Sequence, residues 1–179
     1  MQPIFIATDF FKYFAFKDPN WDYKTRPINF DSDLALADKP TNLPVNATDP
    51  DLRKFAARGG KMILDGGWND SGVPPDEVVA YHDNVVAKTG AKTTHEAVRL
   101  YMVPGMNHCG GGEGTDRFDL FPVLQQWVED KQAPGAIIAS RVEDGKTVRT
   151  RPLCAYPEVA VYKRSGGSDA AANFVCKKL

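Results

Sequence analysis

At 179 residues and 19.7 kDa the chain has room for one domain or part of one. Its 42% hydrophobic and 25% charged residues match soluble globular domains and exclude a wholly disordered, collagen-like or coiled-coil chain. With 22 basic side chains against 23 acidic ones the formal charge is −1, and no block of Lys or Arg stands out, which argues against a nucleic-acid partner. No apolar run approaches the ~20 residues a membrane helix needs, and Asp9 and Lys12 interrupt the apolar start, so neither a membrane partner nor a signal peptide is expected of this chain.

The first part is aromatic and rich in turn residues: Asp18-Pro-Asn-Trp21, Arg26-Pro27 and a Lys-Pro-Thr-Asn turn at 39–42. Thr8 is placed to cap a helix carrying Phe11, Phe14 and Ala15, which ends before Asp18-Pro19. A second short helix is predicted with Asp49 as cap, Pro50 in the first turn, Leu52, Phe55 and Ala56 on one face and Gly59-Gly60 as its stop. Residues 1–60 thus read as an irregular, aromatic-rich segment with short helices.

From residue 61 the texture becomes that of an α/β fold. Lys61-Met-Ile-Leu64 reads as a short buried strand, and the loop Gly66 to Gly72 leaves its C-terminal end. Pro74-Pro75 opens a helix with Val78, Tyr81, Val85 and Val86 on one face, closed by Lys88 and Gly90. Val98 to Val103 is the next strand, followed by the loop Pro104 to Gly112 and by a helix from about Asp119 to Asp130 with Phe121, Leu124, Trp127 and Val128 inward. Strand, loop, helix repeated twice implies parallel strands joined by crossover helices. Ala136 to Val142 and Lys146 to Arg151 flank Asp144-Gly145, the sequence mark of a β-hairpin with a type I′ turn. Cys154 to Cys176 shows little periodicity. Residues 61–179 are therefore an α/β segment, and the whole chain is one partial domain.

The three cysteines have no Cys-x-x-Cys pairing, so no zinc or other metal site is expected. An odd count leaves at least one thiol over. If Cys154 pairs with Cys176, loop closure is worth about 3 kcal/mol and Cys109 is the remainder.

Reactive residues of open α/β sheets lie in loops beyond the carboxyl ends of the strands. One such loop ends in Asp70 and the next contains His108, one strand-helix-strand unit later. That is the back half of the Ser, Asp, His order of α/β-hydrolases. A carboxylate accepting the imidazole Nδ1 proton fixes the tautomer and stabilises the imidazolium formed when Nε2 takes a proton. His82, on the helix near Val78 and Val85, and His95, in a polar stretch, lack such a context. Gly110-Gly-Gly-Glu-Gly114 lacks the Lys-Ser/Thr of a phosphate loop, so no nucleotide cofactor is implied. Asn46-Ala-Thr48 and Asn69-Asp-Ser71 are formal glycosylation sequons.

Six motifs in order carry a resemblance. Arg58-Gly-Gly-Lys-Met-Ile-Leu64, Gly67-Trp-Asn-Asp70, Val103-Pro-Gly-Met-Asn-His-Cys-Gly-Gly-Gly112, Asp116-Arg-Phe-Asp119, Arg151-Pro-Leu-Cys-Ala-Tyr-Pro157 and Asp169-Ala-Ala-Ala-Asn-Phe-Val-Cys176 resemble the C-terminal part of the tannase and feruloyl esterase family. That family also contains mono(2-hydroxyethyl) terephthalate hydrolase. The resemblance implies the C-terminal portion of an α/β-hydrolase fold and a secreted or periplasmic serine esterase that takes aromatic esters such as feruloyl or galloyl esters. It makes Asp70 the triad acid and His108 the base, without a cofactor. In the family the cysteine after this histidine bonds to one beside the catalytic serine, so Cys109 is expected to be free here and Cys154 and Cys176 to be paired.

The chain departs from that pattern where the nucleophile belongs. It has no Gly-x-Ser-x-Gly elbow, no Cys-Ser pair, and nothing resembling the family's lid with its calcium site. Ser32, Ser140, Ser165 and Ser168 lie in ordinary loop or strand contexts, and Ser71 follows Asp70 as a turn hydroxyl. The chain alone is therefore expected to be inactive. The alternative reading is a non-catalytic remnant or interaction module that pairs with a chain supplying the rest of the sheet, and an exposed sheet edge also offers a route to self-association.

Overall fold

A computed structural model describes residues 4–39 and 47–179, so most of the turn expected at 39–42 and Asn46 of the first sequon lie outside the described residues. The chain divides into two units, Met1–Thr48 and Asp49–Leu179.

In the first unit, helix α1 (Ile4–Asp9) widens into a π-helical turn over Phe10–Ala15, where Phe16 N–H donates to Phe11 O five residues back. Thr8 is inside the helix and not its cap. The wider turn also moves Phe14 off the buried face, leaving it half exposed, while Phe11 and Ala15 pack with Trp21 and Ala37. Helix α2 (Ser32–Ala37) is opened by Asn29, whose side-chain oxygen accepts the N–H groups of Asp31 and Ser32. Its buried Asp33 is satisfied by Arg26 and the Asn29 N–H.

The second unit begins with α3 (Arg53–Ala57). Asp49 and Pro50 precede this helix instead of starting it: Asp49 accepts the Asp51 N–H, and Asp51 accepts the N–H of Arg53 together with its guanidinium. Strand β1 (Met62–Gly67) leads through α4 (Pro75–Thr89) and α5 (Ala91–Ala97) to β2 (Val98–Val103), which pairs with β1 in parallel, Met62 opposite Val98 and Gly67 opposite Val103. Pro75 and the acidic Asp76 and Glu77 suit the first turn of α4, and Gly90 at φ 92° ends it. All six residues of β2 are buried. β1 is only half buried, in contrast to the buried strand expected from its Met-Ile-Leu run, because no strand among the described residues flanks its outer edge.

Val98 packs with Val85 and Ala97 on one face of the strand pair, while Tyr101 and Val103 pack with Met106, Ile137, Ala139 and Leu153 on the other. Ile137 to Leu153 belong to the hairpin β3 (Ile137–Glu143) and β4 (Lys146–Leu153), whose Asp144 and Gly145 have φ of 49° and 74° as a type I′ turn requires. Helix α6 (Phe121–Glu129) starts after Asp119, which accepts the Phe121 N–H, and buries Trp127. Phe121 and Val128 point to solvent instead of inward, since one buried stripe on this short helix is satisfied by Val123, Leu124 and Trp127. The C-terminal stretch holds a second antiparallel pair that periodicity did not announce, β5 (Val159–Tyr162) with β6 (Phe174–Lys177). A disulfide joins Cys154 to Cys176, and Cys109 is free and exposed. No helix among the described residues is long and apolar enough to cross a membrane.

Candidate active site

The loops leaving the C-terminal ends of β1 and β2 are stapled together by their backbones. Trp68 N–H donates to Val103 O and Asn69 N–H to Met106 O, each at 3.0 Å. Gly67 makes this approach feasible, because a Cβ there would lie 2.2 Å from Met106 O and 2.6 Å from Asn107 O. Asp70 follows at once. Its Oδ1 accepts the N–H groups of Gly72 at 2.7 Å and Val73 at 2.9 Å, which closes a tight turn and fixes the carboxylate plane.

The other oxygen faces the second loop: His108 Nδ1 lies 2.8 Å from Asp70 Oδ2. An ionised carboxylate only accepts, so Nδ1 carries the proton and Nε2 is left as the basic nitrogen. The Val73 N–H, the His108 hydrogen bond and the Gly72 N–H hold the Asp70 carboxyl below the usual carboxylate range. The His108 side chain is 59% exposed against 10% for Asp70, so the imidazole is presented outward on a sheltered carboxylate.

The histidine loop is anchored on both sides of His108. Met106 is buried and plugs into the core around Tyr101 and Leu153. Asn107 N–H donates to Gly111 O, and Gly112, at φ 85°, packs so closely on Gly105 O that no Cβ fits. Asp116 Oδ2 accepts the Gly111 N–H at 2.8 Å, and Arg141 from β3 donates to Gly112 O at 2.8 Å. Sequence reasoning gave no role to Asp116 or Arg141. Asp116 could have been found within its Asp-Arg-Phe-Asp motif, but only the hairpin's position reveals Arg141.

The remaining sequence candidates are elsewhere. His82 is buried on α4, its ring edge-on to Tyr156, and His95 lies on α5 with its carbonyl accepting from Arg99. Among the described residues no serine hydroxyl bonds His108; Ser71 is exposed in the Asp70 turn, and Ser140 bonds Arg117 O. Among the described residues no cluster of three or more His, Cys, Asp or Glu converges as a metal site would require.

The family model described as tannase and feruloyl esterase matches residues 3–177, and the chain belongs to that family. It is 34% identical to an uncharacterized esterase of Xanthomonas campestris pv. campestris over 96% of this chain and 36% of that protein. It is 46% identical to the mono(2-hydroxyethyl) terephthalate hydrolase of Piscinibacter sakaiensis over 73% of this chain and 22% of that one. Among solved structures, an esterase from Aspergillus oryzae superposes with a TM-score of 0.82 at 25% identity, covering 96% of this chain and 37% of its own. Feruloyl esterase B from the same organism gives 0.84 at 21% identity, a likeness of fold. The chain spans roughly a fifth to a third of the length of the curated relatives named here. The fold is α/β and the family is one of ester hydrolases.

Proposed function

We propose that this chain supplies the acid and base of a serine carboxylic ester hydrolase of α/β-hydrolase fold acting on aromatic esters, and that the nucleophile elbow and lid belong to polypeptide outside it. The observation that carries this reading is the 2.8 Å contact of His108 Nδ1 with Asp70 Oδ2 at the carboxyl ends of two parallel strands. Asp70 holds the Nε2-basic tautomer. Nε2 takes the proton of a serine hydroxyl as that oxygen attacks the ester carbonyl, and returns it to the departing alcohol oxygen. In the second half Nε2 deprotonates water, which releases the aromatic acid and restores the serine. Asp70 stays ionised throughout and stabilises the imidazolium. The names of the relatives, feruloyl esterases and a terephthalate monoester hydrolase, support an aromatic acyl group. The Cys154–Cys176 disulfide supports an oxidising, secreted or periplasmic setting.

The test is complementation. The chain alone should not turn over methyl ferulate, because loss of the nucleophile in a serine hydrolase costs about 10⁶ in rate. Joined to the serine-bearing portion of the Piscinibacter sakaiensis relative, it should gain a phosphonate-sensitive activity that His108→Ala and Asp70→Asn abolish. Activity that survives His108→Ala in the joined protein, or enzyme-like turnover by the chain alone, would refute the assignment.

A further inference from the structure

Under the proposed function the rest of the sheet lies beyond β1, so the far edge of β2 is the outer rim of the fold. This chain covers that rim itself: Tyr156 N–H donates to Leu100 O at 2.8 Å, and Ala155 bridges Tyr101. Around the N-terminal half of the rim, α4, α5 and residues 134–135 and 155–158 enclose a cavity of about 540 Å³. The histidine loop leaves the other end of β2, and at the rise of a strand Arg99 and Val103 are already about 13 Å apart.

Two buried side chains of this cavity are incompletely matched by their neighbours. Arg99, 7% exposed, forms no ion pair among the described residues. Its Nη1 donates to the carbonyls of His95 and Val98, and its Cζ lies 5.2 Å from the Trp127 ring centroid. Nη2 is 3.4 Å from His95 Nε2, and Nε–H has no acceptor among the described residues. The Nε–Nη2 edge, the pair of parallel donors that grips a carboxylate, is thus free of any counter-charge. Carbonyls and a ring face do not neutralise a buried cation, and desolvation lowers the Arg99 pKa. His82, 8% exposed, buries an Nδ1 that makes no hydrogen bond among the described residues; Asp83 Oδ1 is 3.5 Å from it, on a carboxylate mostly in solvent.

We propose that this cavity binds a small aromatic monocarboxylate, its carboxylate on the Nε–Nη2 edge of Arg99 and its ring against Val86, Leu100, Pro134 and Tyr156. Charge selects a single negative group: Arg99 and Lys178 against Glu158 leave one positive charge among the lining residues with the histidines neutral, which a monoanion cancels and a dianion exceeds. The walls select an apolar body, because a bare inorganic anion would leave those side chains without contact, and the volume suits a substituted ring. His82 and Tyr156 favour an aromatic one: their rings stand edge-on, centroids 5.6 Å apart at 82°, a corner onto which a third ring packs by edge and face. The aromatic acid released by the proposed hydrolysis is of this class, so the cavity would hold product away from the reacting atoms; that link rests on the proposed function, whereas binding itself does not.

The experiment is a titration of the 179-residue chain with sodium benzoate, followed by amide and imidazole NMR, with benzamide, acetate and inorganic phosphate as comparisons. Benzoate should bind with a Kd on the order of 0.1–1 mM and shift the Arg99 Nε–H, the His82 and His95 imidazoles and the Leu100 and Tyr156 amides. Benzamide lacks the charge and acetate the ring, so each should bind at least about tenfold more weakly. Glu158→Lys should tighten benzoate binding and Lys178→Glu weaken it, each by about threefold, since both side chains are exposed and screened. Arg99→Gln should abolish it; if circular dichroism shows that this variant fails to fold, the two exposed charge variants decide. Shifts centred on His108 or elsewhere outside the cavity, benzamide or phosphate as tight as benzoate, or charge variants that leave the Kd unchanged would overturn the proposal. None of these readouts uses ester hydrolysis, so failure here and failure of the proposed function are separate results.

Discussion

Gly67→Ala tests whether the two loops of the site are held by backbone contact. The added Cβ would sit 2.2 Å from Met106 O and 2.6 Å from Asn107 O, and both obstacles are main chain that no rotamer change can clear. A carbon and an oxygen need about 3.2 Å, so the histidine loop has to retreat by about 1 Å. That retreat breaks the 3.0 Å bond from Asn69 N–H to Met106 O and takes the 2.8 Å His108–Asp70 contact beyond hydrogen-bond range. Overpacking of this kind costs about 1–3 kcal/mol, which lowers Tm by about 3–10 °C for a unit of this size. Gly66→Ala is the matched control, because its Cβ meets side chains and no main chain, the Met102 methyl at 3.4 Å and sulfur at 3.5 Å and a Val78 methyl at 3.6 Å, all ordinary contacts. Differential scanning calorimetry and ¹⁵N imidazole spectra should show a lowered Tm and a lost Nδ1–H signal for Gly67→Ala alone. Equal behaviour of the two variants would refute the steric reasoning.

Three further outcomes follow from the same contacts. Carbon-13 titration should find the Asp70 carboxyl below the ordinary ~3.9 and rising in His108→Ala without reaching it, since the Val73 and Gly72 amides remain; because the folded value is depressed, its stabilising contribution is complete above the unfolded pKa and lost as pH falls through the folded one. Alkylation without reductant should add one label, on Cys109, and three after reduction, and Cys154→Ala should cost about 3 kcal/mol in chemical denaturation. The buried Tyr101 phenol donates to Gly135 O at 2.7 Å and burial pushes its pKa up to about 12, so Tyr101→Phe should lose about 1–2 kcal/mol and remove the last tyrosine to ionise in an ultraviolet titration.

The legible parts of the sequence were those whose cause is local. Asp144-Gly145 demands positive φ at two successive residues, so the hairpin could be located from two letters. The Val98 to Val103 run, Pro75 at the start of α4 and Gly90 at its end likewise act within a turn or strand. Asp70 and His108 were identified by order and motif, and their meeting at 2.8 Å required the parallel register of β1 and β2 and the Gly67 contact, both long-range. Where neighbours decide, local signals misled. Asp49 resembled a cap, yet Asp51 engages the first N–H of α3; Phe121 and Val128 carry helical periodicity, yet the core has room only for the stripe with Trp127. The pairing of β5 with β6 and the reach of Arg141 to Gly112 O bring together residues far apart in the chain, and nothing in either segment alone encodes the partner. The candidacy of Asp70 and His108 was written in the sequence; their alignment at 2.8 Å was decided by tertiary packing, because a hydrogen bond is set to a few tenths of an ångström by everything that holds the two loops.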